Sequence, residues 1–534
     1  MMRLARSRST GIEARRPGVL LFLALLVGLA ATPAAAQTYG FRASYESDGS
    51  RVLRTFRMWV PPEAPEVRGA VFLWAGAGQD WRDRVGWTSF QEAARALGFA
   101  LVGTRDNELG VTRSEVDTAL QRIMSAAAEV SSRPELSDAP VALMGFSQGG
   151  YRSALAAALS SGRVIGMVGH KGTQIVSLTD EGTEVPVLFI AGESDGSFPP
   201  DFVRQAFQTW RNEGGLAAYA VDWGVGHNDL GNQGWEAAWY WLAEVVRLRY
   251  PEAAPISPAS LVEIPLEEGW LGDKARFRSD GTPFTVSPFF DIAPHAEYAG
   301  SKDAASWLPS RGAAYAYRAF TSTDLASRDE VPLQTPLVIR TPGALDTLAV
   351  GAAIEVELDL RGFGEGRTVR EVVLYDGGDS LGTATLDATD PSAPVWTRTY
   401  VPSVSGIRVL TAVATASDGT RRTTFRTVVV RPEGDATSSA PPPAASLGAV
   451  TLHPNRPNPF VRSTAIRFEL HRAAAVRVEV LDGLGRTVAT LVDAVLAAGD
   501  HAVPFEAAGL AGGVYVTRVA VDGLAQTRPI LLLR

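Results

Sequence analysis

The run Gly145-Phe146-Ser147-Gln148-Gly149-Gly150 places a serine among small residues, between an apolar stretch at 141–145 and an alanine-rich helical pattern reaching Leu159. A strand that enters a helix through so tight a turn lifts the serine hydroxyl above the sheet edge, and the flanking glycines leave the backbone room. A hydroxyl is a poor nucleophile until a base takes its proton, so a histidine and an orienting carboxylate must accompany it. With a strand-turn-helix serine the chain order is serine, acid, histidine. Asp195 lies in Gly192-Glu193-Ser194-Asp195-Gly196, directly after the apolar run 186–191, with Glu193 as its rival. Two histidines beyond it can serve as base. His227 follows the apolar run 217–222, and His295 lies in an irregular region; His453, His471 and His501 belong to the chain's last 85 residues. Chain order and placement after buried strands favour Ser147, Asp195 and His227 as a catalytic triad, with Glu193 and His295 as the alternatives. Gln148 offers a backbone N–H to a developing oxyanion. His170 ends the strand before the acid, so its order is wrong for the triad and it reads as a hydrogen-bonded strand-end histidine.

The elements that must position these residues follow from patterning. Apolar runs at 70–74, 99–103, 141–145, 164–169, 186–191 and 217–222 read as buried strands, and an extended segment at 52–60 precedes them. Between them, Thr88–Leu97, 114–131, 201–212 and 234–249 have helical period, with Gly98 as a helix stop and Ser114 with Asp117 as a capping-box-like start. Repeated β-α units imply a mostly parallel sheet with helices on both faces. Residues 256–332, with Trp270, Trp307 and several tyrosines, read as an extension packed on this front domain at 37–255. From 333 to 431 alternating runs at 353–358, 369–375 and 409–416 are separated by Asp-Gly turns at 376–377 and 418–419, as in a β-sandwich. A Pro/Ser/Ala linker at 432–448 leads to a last all-β unit at 449–534. The fold class is therefore α/β followed by two all-β sandwich domains. Residues 37–330 are expected to fold and act without the rear modules.

The chain has 534 residues, enough for three or four domains, and 46% hydrophobic with 20% charged residues is a globular composition. Five arginines before an apolar run at 18–30, then Ala34-Ala35-Ala36, read as a cleavable secretory signal at 1–36. The run is shorter than the roughly 20 residues a bilayer span needs, and no later stretch is apolar enough. Loss of those five arginines and one glutamate would move the formal charge from −8 to −12. Such acidity disfavours nucleic acid and anionic membrane surfaces as partners. There is no cysteine, which excludes thiol catalysis and disulfides. No metal-ligand spacing, phosphate loop or dinucleotide motif stands out, so the chemistry is expected to need no metal and no cofactor.

From about 50 to 250 the chain resembles secreted α/β-hydrolase esterases, including the feruloyl-esterase and polyhydroxyalkanoate-depolymerase-like group, on the front motif at 54–62 and the ordered serine, aspartate and histidine. The resemblance implies hydrolysis of carboxylic esters through an acyl-enzyme. These relatives carry His-Gly after the strand at 70–74, where this chain has Ala75-Gly76. By that alignment Ala77 supplies the second oxyanion N–H. Trp74, Trp81, Trp87 and Trp223 flank the site by sequence and suit either core packing or stacking on a ring of the substrate. Val372-Val373-Leu374-Tyr375-Asp376-Gly377-Gly378 resembles bacterial immunoglobulin-like domains. Pro454-Asn455-Arg456-Pro457-Asn458-Pro459-Phe460, Asp482-Gly483-Leu484-Gly485-Arg486 and Gly513-Val514-Tyr515 resemble the C-terminal sorting domain of the type IX secretion system. That resemblance implies export through the outer membrane of a Gram-negative bacterium, with residues 449–534 engaging the secretion machinery. Two other readings stand beside an esterase acting on small or polymeric substrates. One is a prolyl-oligopeptidase-like peptidase, although no propeller precedes the hydrolase. The other is a surface-binding protein whose hydrolase fold has lost activity.

Overall fold

The computed structural model describes residues 37–533 apart from 106–108, 160–161, 228–231, 279–280, 324–336, 361–367, 388–394, 433–449, 457–459, 471–473, 482–486, 498 and 522–523. The signal reading at 1–36, nearly all of the linker, residues 457–459 of one C-terminal motif and the whole motif at 482–486 lie outside the described residues. No helix among the described residues is long and apolar enough to cross a membrane.

The front domain is built on strands β1 (Gln37–Ser47), β2 (Ser50–Val60), β3 (Gly69–Trp74), β4 (Phe99–Thr104), β5 (Val141–Phe146), β6 (Val164–His170), β7 (Val187–Gly192) and β8 (Ala217–Asp222). Their order in the sheet is β1-β2-β4-β3-β5-β6-β7-β8. β1 and β2 form an antiparallel hairpin, β2 meets β4 antiparallel, and every later pair is parallel. β1 departs from the sequence reading, which treats the residues before 52 as a lead-in. It carries no continuous apolar run, because Phe41, Ala43 and Tyr45 turn inward while Arg42 and Ser44 between them are outside the core. An edge strand with one wet face alternates instead.

Period-two alternation splits the parallel strands between two cores. Phe72, Trp74, Leu143, Phe189 and Tyr219 face α2 (Arg113–Ser131), α3 (Gln148–Ala158) and α5 (Pro200–Asn212). Val71, Leu73, Met144, Val168, Leu188 and Ala220 face α1 (Thr88–Leu97) and α6 (Asn232–Arg249). A short helix, α4 (Asp180–Thr183), precedes β7. α1 ends at Gly98 in the left-handed region. The start of α2 corrects the sequence reading, because Thr112, not Ser114, is the cap, and Glu115, not Asp117, reaches back to it. Glu115 accepts from the N–H groups of Val111, Thr112 and, across the β1–β2 turn, Gly49, so a tertiary contact decides which box forms.

The extension has its own order. β9 (Trp270–Gly272) lies between β12 (Ile292–Pro294) and β13 (Ser306–Leu308), β10 (Arg276–Phe277) pairs with β11 (Pro283–Thr285), and α7 (Arg311–Thr321) follows. It is sewn to the sheet edge: the Tyr219 N–H donates to Ser306 Oγ at 3.0 Å, and the buried Arg211 donates to the carbonyls of Ala305 and Lys302.

The next domain has two antiparallel sheets around one core of Ile339, Leu358, Leu374 and Leu410. One holds β14 (Leu337–Thr341), β16 (Ile354–Leu360), β19 (Thr385–Asp387) and β20 (Val395–Tyr400). The other holds β17 (Val369–Asp376), β18 (Asp379–Thr383), β21 (Gly406–Ala416) and β22 (Arg421–Arg431), with β15 (Thr347–Ala349) parallel to β22 at its edge. This sandwich is not an independent bead. Ile407, Val409, Phe425 and Val429 belong to the same core as Trp239, Tyr240 and Phe320, so the fragment 37–330 lacks part of its own interior. The sequence hides this, because a face that docks on a neighbour reads like one that covers its own sheet. The last unit, β23 to β29 (Val450–Arg456, Ser463–Leu470, Ala474–Leu481, Thr487–Leu496, Gly499–Glu506, Gly513–Val521 and Leu524–Leu532), packs a three-stranded against a four-stranded sheet around Phe468, Val478 and Val519.

Candidate active site

Ser147 stands between the end of β5 and the start of α3 with φ 53° and ψ −123°, a region that non-glycine residues seldom occupy. Its neighbours make the strain tolerable. A Cβ on Gly149 would overlap the Trp74 carbonyl, and one on Gly172 would overlap the carbonyl of Ser147 itself. The Ser147 N–H donates to the His170 carbonyl at 2.9 Å, tying the turn to β6.

The hydroxyl of Ser147 lies 2.9 Å from Nε2 of His227, and Nδ1 of the same ring lies 2.8 Å from Oδ2 of Asp195. A carboxylate can only accept, so Nδ1 carries the proton and Nε2 is left to accept from Ser147. Asp195 is buried, and its second oxygen accepts from the N–H groups of Ser197 at 2.8 Å and Phe198 at 2.9 Å. Three hydrogen bonds hold one carboxylate in one orientation. Glu193 is engaged elsewhere, with its Oε2 accepting from the Gly224 N–H at 2.8 Å. His295 follows β12 on the extension and gives its N–H to the Gly269 carbonyl.

Aromatic rings flank the base. Phe146 lies 5.3 Å from the His227 ring, and Phe198 stacks on it at 5.9 Å with 17° between planes. Sequence reasoning missed both as site residues. Phe146 was visible within the serine motif itself; Phe198 had no signal beyond its nearness to Asp195. On the oxyanion side, Gly76 opens a turn closed by the Gln79 N–H to the Gly76 carbonyl, with Gly78 at φ 69°. A Cβ on Gly76 would sit 3.2 Å from the Ser147 Cβ, so Ala77 follows a residue pressed against the nucleophile. Gln148 is the first residue of α3. Helix N-termini direct backbone N–H groups outward, which suits a developing anion.

Burial pushes the His170 pKa down to about 3, with the charges of Lys171 and Arg84 adding to it, so its ring stays neutral. It lies against Trp235 at 4.4 Å, rather than against Ser147. Arg84 is wedged over Trp81 at 3.8 Å and Trp87 at 4.5 Å, and desolvation lowers its pKa to about 9. The four tryptophans that flank the site by sequence are all engaged within the protein. Trp74 stacks on Phe72, Trp81 on Phe146 and Trp223 on Phe277, while Trp87 meets Phe90 edge-on. Among the described residues no three metal-ligating side chains cluster.

No protein-family model and no curated protein matches the chain. Among solved structures it is similar to esterase PE8, at 21% identity over 35% of this chain and 97% of that one, TM-score 0.28. It is also similar to P91, a dienelactone hydrolase-like promiscuous phosphotriesterase from metagenomic libraries (15% identity, 39% and 98% coverage, TM-score 0.29). A third is Thermogutta terrifontis esterase 2, phosphonylated by sarin (14% identity, 40% and 95% coverage, TM-score 0.28). The mostly parallel eight-stranded sheet with helices on both faces, carrying its serine on a strand-to-helix turn, has the architecture of an α/β-hydrolase.

Proposed function

We propose that this protein is a serine hydrolase that cleaves carboxylic esters through an acyl-enzyme. The observation that carries the reading is the continuous relay from Ser147 Oγ through His227 to Asp195, set on a strained strand-to-helix turn. Ser147 attacks the ester carbonyl as Nε2 of His227 takes its proton. Asp195 holds the imidazole with Nδ1–H toward the carboxylate and stabilises the imidazolium that forms. The backbone N–H groups of Gln148 and Ala77 receive the oxyanion. The imidazolium then protonates the departing alcohol, and a water activated by the same ring releases the acid. Each step is proton-balanced within the triad, so no metal or cofactor is called upon.

An organophosphonate probe tests the reading directly. Ser147 becomes phosphonylated in the full chain, Ser147→Ala does not, and purified protein turns over short acyl, feruloyl or polyester substrates. Labelling that persists in Ser147→Ala would sink the assignment. Preference for prolyl peptides over every ester would move the activity to the peptidase reading.

The protein is further proposed to be exported to the cell surface or medium of a Gram-negative bacterium, with residues 449–534 read by type IX secretion machinery. The support is the ordered set of C-terminal motifs and the signal-like start. Intact mass of the external form should begin near Gln37 and end in the linker at 432–448. An unprocessed chain recovered from the cytoplasm refutes it.

A further inference from the structure

His227 lies in sequence between β8 and α6, and two residues on either side of it, Trp223 just after β8 and Glu236 on α6, are fastened outside the parallel sheet. At the near end, Trp223 donates its Nε1–H to the carbonyl of Thr321, the last residue of α7, at 2.9 Å, and its ring stacks on Phe277 at 5.8 Å. α7 in turn is braced on the sandwich. Phe320 meets Phe425 edge-on at 6.1 Å, and Arg318 and Arg421 sit over Phe289 at 4.0 and 3.9 Å.

At the far end Glu236, the fifth residue of α6, is wholly buried. Its Oε1 accepts from Arg426 at 2.7 Å and its Oε2 from the Thr427 N–H at 2.9 Å. Its own carbonyl accepts from the Thr427 hydroxyl at 2.9 Å. Both partners are on β22. Beside Glu236, Trp235 contacts His170 and meets Trp81 at 5.8 Å. Trp81 stacks on Phe146 at 5.6 Å, and Phe146 is the ring beside His227. The sandwich therefore reaches the catalytic base by two routes, one through Trp223 and one from Glu236 through the rings of Trp235, Trp81 and Phe146.

We infer that the β-sandwich at 337–431 is a positioning element of the Ser147 site, setting where His227 Nε2 stands relative to the serine hydroxyl. The inference rests on the hydrolase reading above and deepens it. A buried ion pair is a weak source of net stability, because desolvation offsets its attraction, but it holds one geometry and resists others. Three hydrogen bonds from two adjacent residues to one glutamate fix the helix start in rotation as well as in depth. The catalytic distance is sensitive to such placement: a displacement of about 1 Å at a reacting group costs on the order of 100-fold in rate. A second bridge between the domains supplies the contrast. Arg431 Nε donates to Glu92 on α1 at 3.0 Å, which joins sandwich to hydrolase through a side chain that belongs to neither route.

The test uses the full chain and four substitutions at or beside the two routes, with one control. Glu236→Gln and Trp223→Phe should each lower kcat about tenfold or more with KM changed less than twofold, and should slow phosphonylation of Ser147 in parallel. Arg426→Lys should recover part of what Arg426→Ala loses. Arg431→Gln should lower the melting temperature while leaving kcat and labelling rate at wild-type values. If Glu236→Gln does not fold, Trp223→Phe carries the comparison alone. An active wild type with unchanged kcat and labelling in Glu236→Gln and Trp223→Phe overturns the inference. So does a loss in Arg431→Gln that equals theirs, since the sandwich would then act only through stability. A wild type that neither turns over esters nor takes up the probe overturns the hydrolase reading, and this inference with it.

Discussion

Asp195→Asn separates orientation of the base from stability of the loop. The wild-type carboxylate uses Oδ1 for the Ser197 and Phe198 N–H groups and Oδ2 for His227 Nδ1. Asparagine can keep its oxygen on the two backbone donors, which leaves its amide N–H facing Nδ1. Two donors cannot face each other, so the imidazole shifts to the tautomer with its proton on Nε2, pointing at the Ser147 hydroxyl. That ring cannot accept the serine proton. The expected loss in kcat is about 10⁴-fold, as for the same exchange in another serine hydrolase, or roughly 5 kcal/mol of transition-state stabilisation. Stability should change little, because both backbone donors retain an acceptor. Asp195→Ala, by contrast, leaves two N–H groups unpaired at about 1–3 kcal/mol each. The assay is kcat and KM on a short-chain nitrophenyl ester, with thermal melting of the same samples. The asparagine variant should melt near wild type while nearly inactive, and the alanine variant should be both inactive and less stable. An asparagine variant within tenfold of wild-type kcat would refute the orienting role of Asp195.

His227→Ala should cost orders of magnitude in ester turnover while His295→Ala costs little, and the reverse ranking would place the base on the extension. The fragment 37–330 should be insoluble or markedly destabilised, because it uncovers the surface that Ile407, Val409, Phe425 and Val429 bury, at about 1.5–3 kcal/mol per side chain, and leaves Glu236 without Arg426. A soluble fragment with full activity would contradict both the shared core and the positioning role of the sandwich. Lys274 provides a pH test. It is buried with its Nζ donating to the Ala304 carbonyl, and desolvation lowers its pKa from 10.5 to about 7. Between those values the unfolded chain holds the proton and the folded chain does not, so this residue makes stability rise with pH at about 1.4 kcal/mol per pH unit. The difference in unfolding free energy between wild type and Lys274→Met should therefore change steadily from pH 7 to 10 by up to about 4 kcal/mol; parallel stability curves would refute the lowered pKa of Lys274.

What the sequence determines by itself is local. The turn at Ser147 is legible because glycines at fixed offsets and an apolar run before them are statements about backbone room, which neighbours in the chain impose. The buried parallel strands are legible as continuous apolar runs, since both their faces are covered. Chain order nominates Asp195 and His227 but leaves Glu193 and His295 standing. Only tertiary distances separate them: Glu193 is spent on the Gly224 N–H, while Asp195 meets a ring whose other nitrogen meets Ser147. The same limit governs the misses. Thr112 rather than Ser114 caps α2 because Gly49, 66 residues away, shares Glu115. β1 escapes notice because one of its faces is wet. The sandwich reads as a separate module because Ile407, Val409 and Phe425 look like residues of its own interior until α6 and α7 are seen against them. A residue's hydrophobicity and conformational range are written at its own position, but the partner that consumes them is chosen by packing between segments far apart in the chain, and that choice exists only in the folded protein.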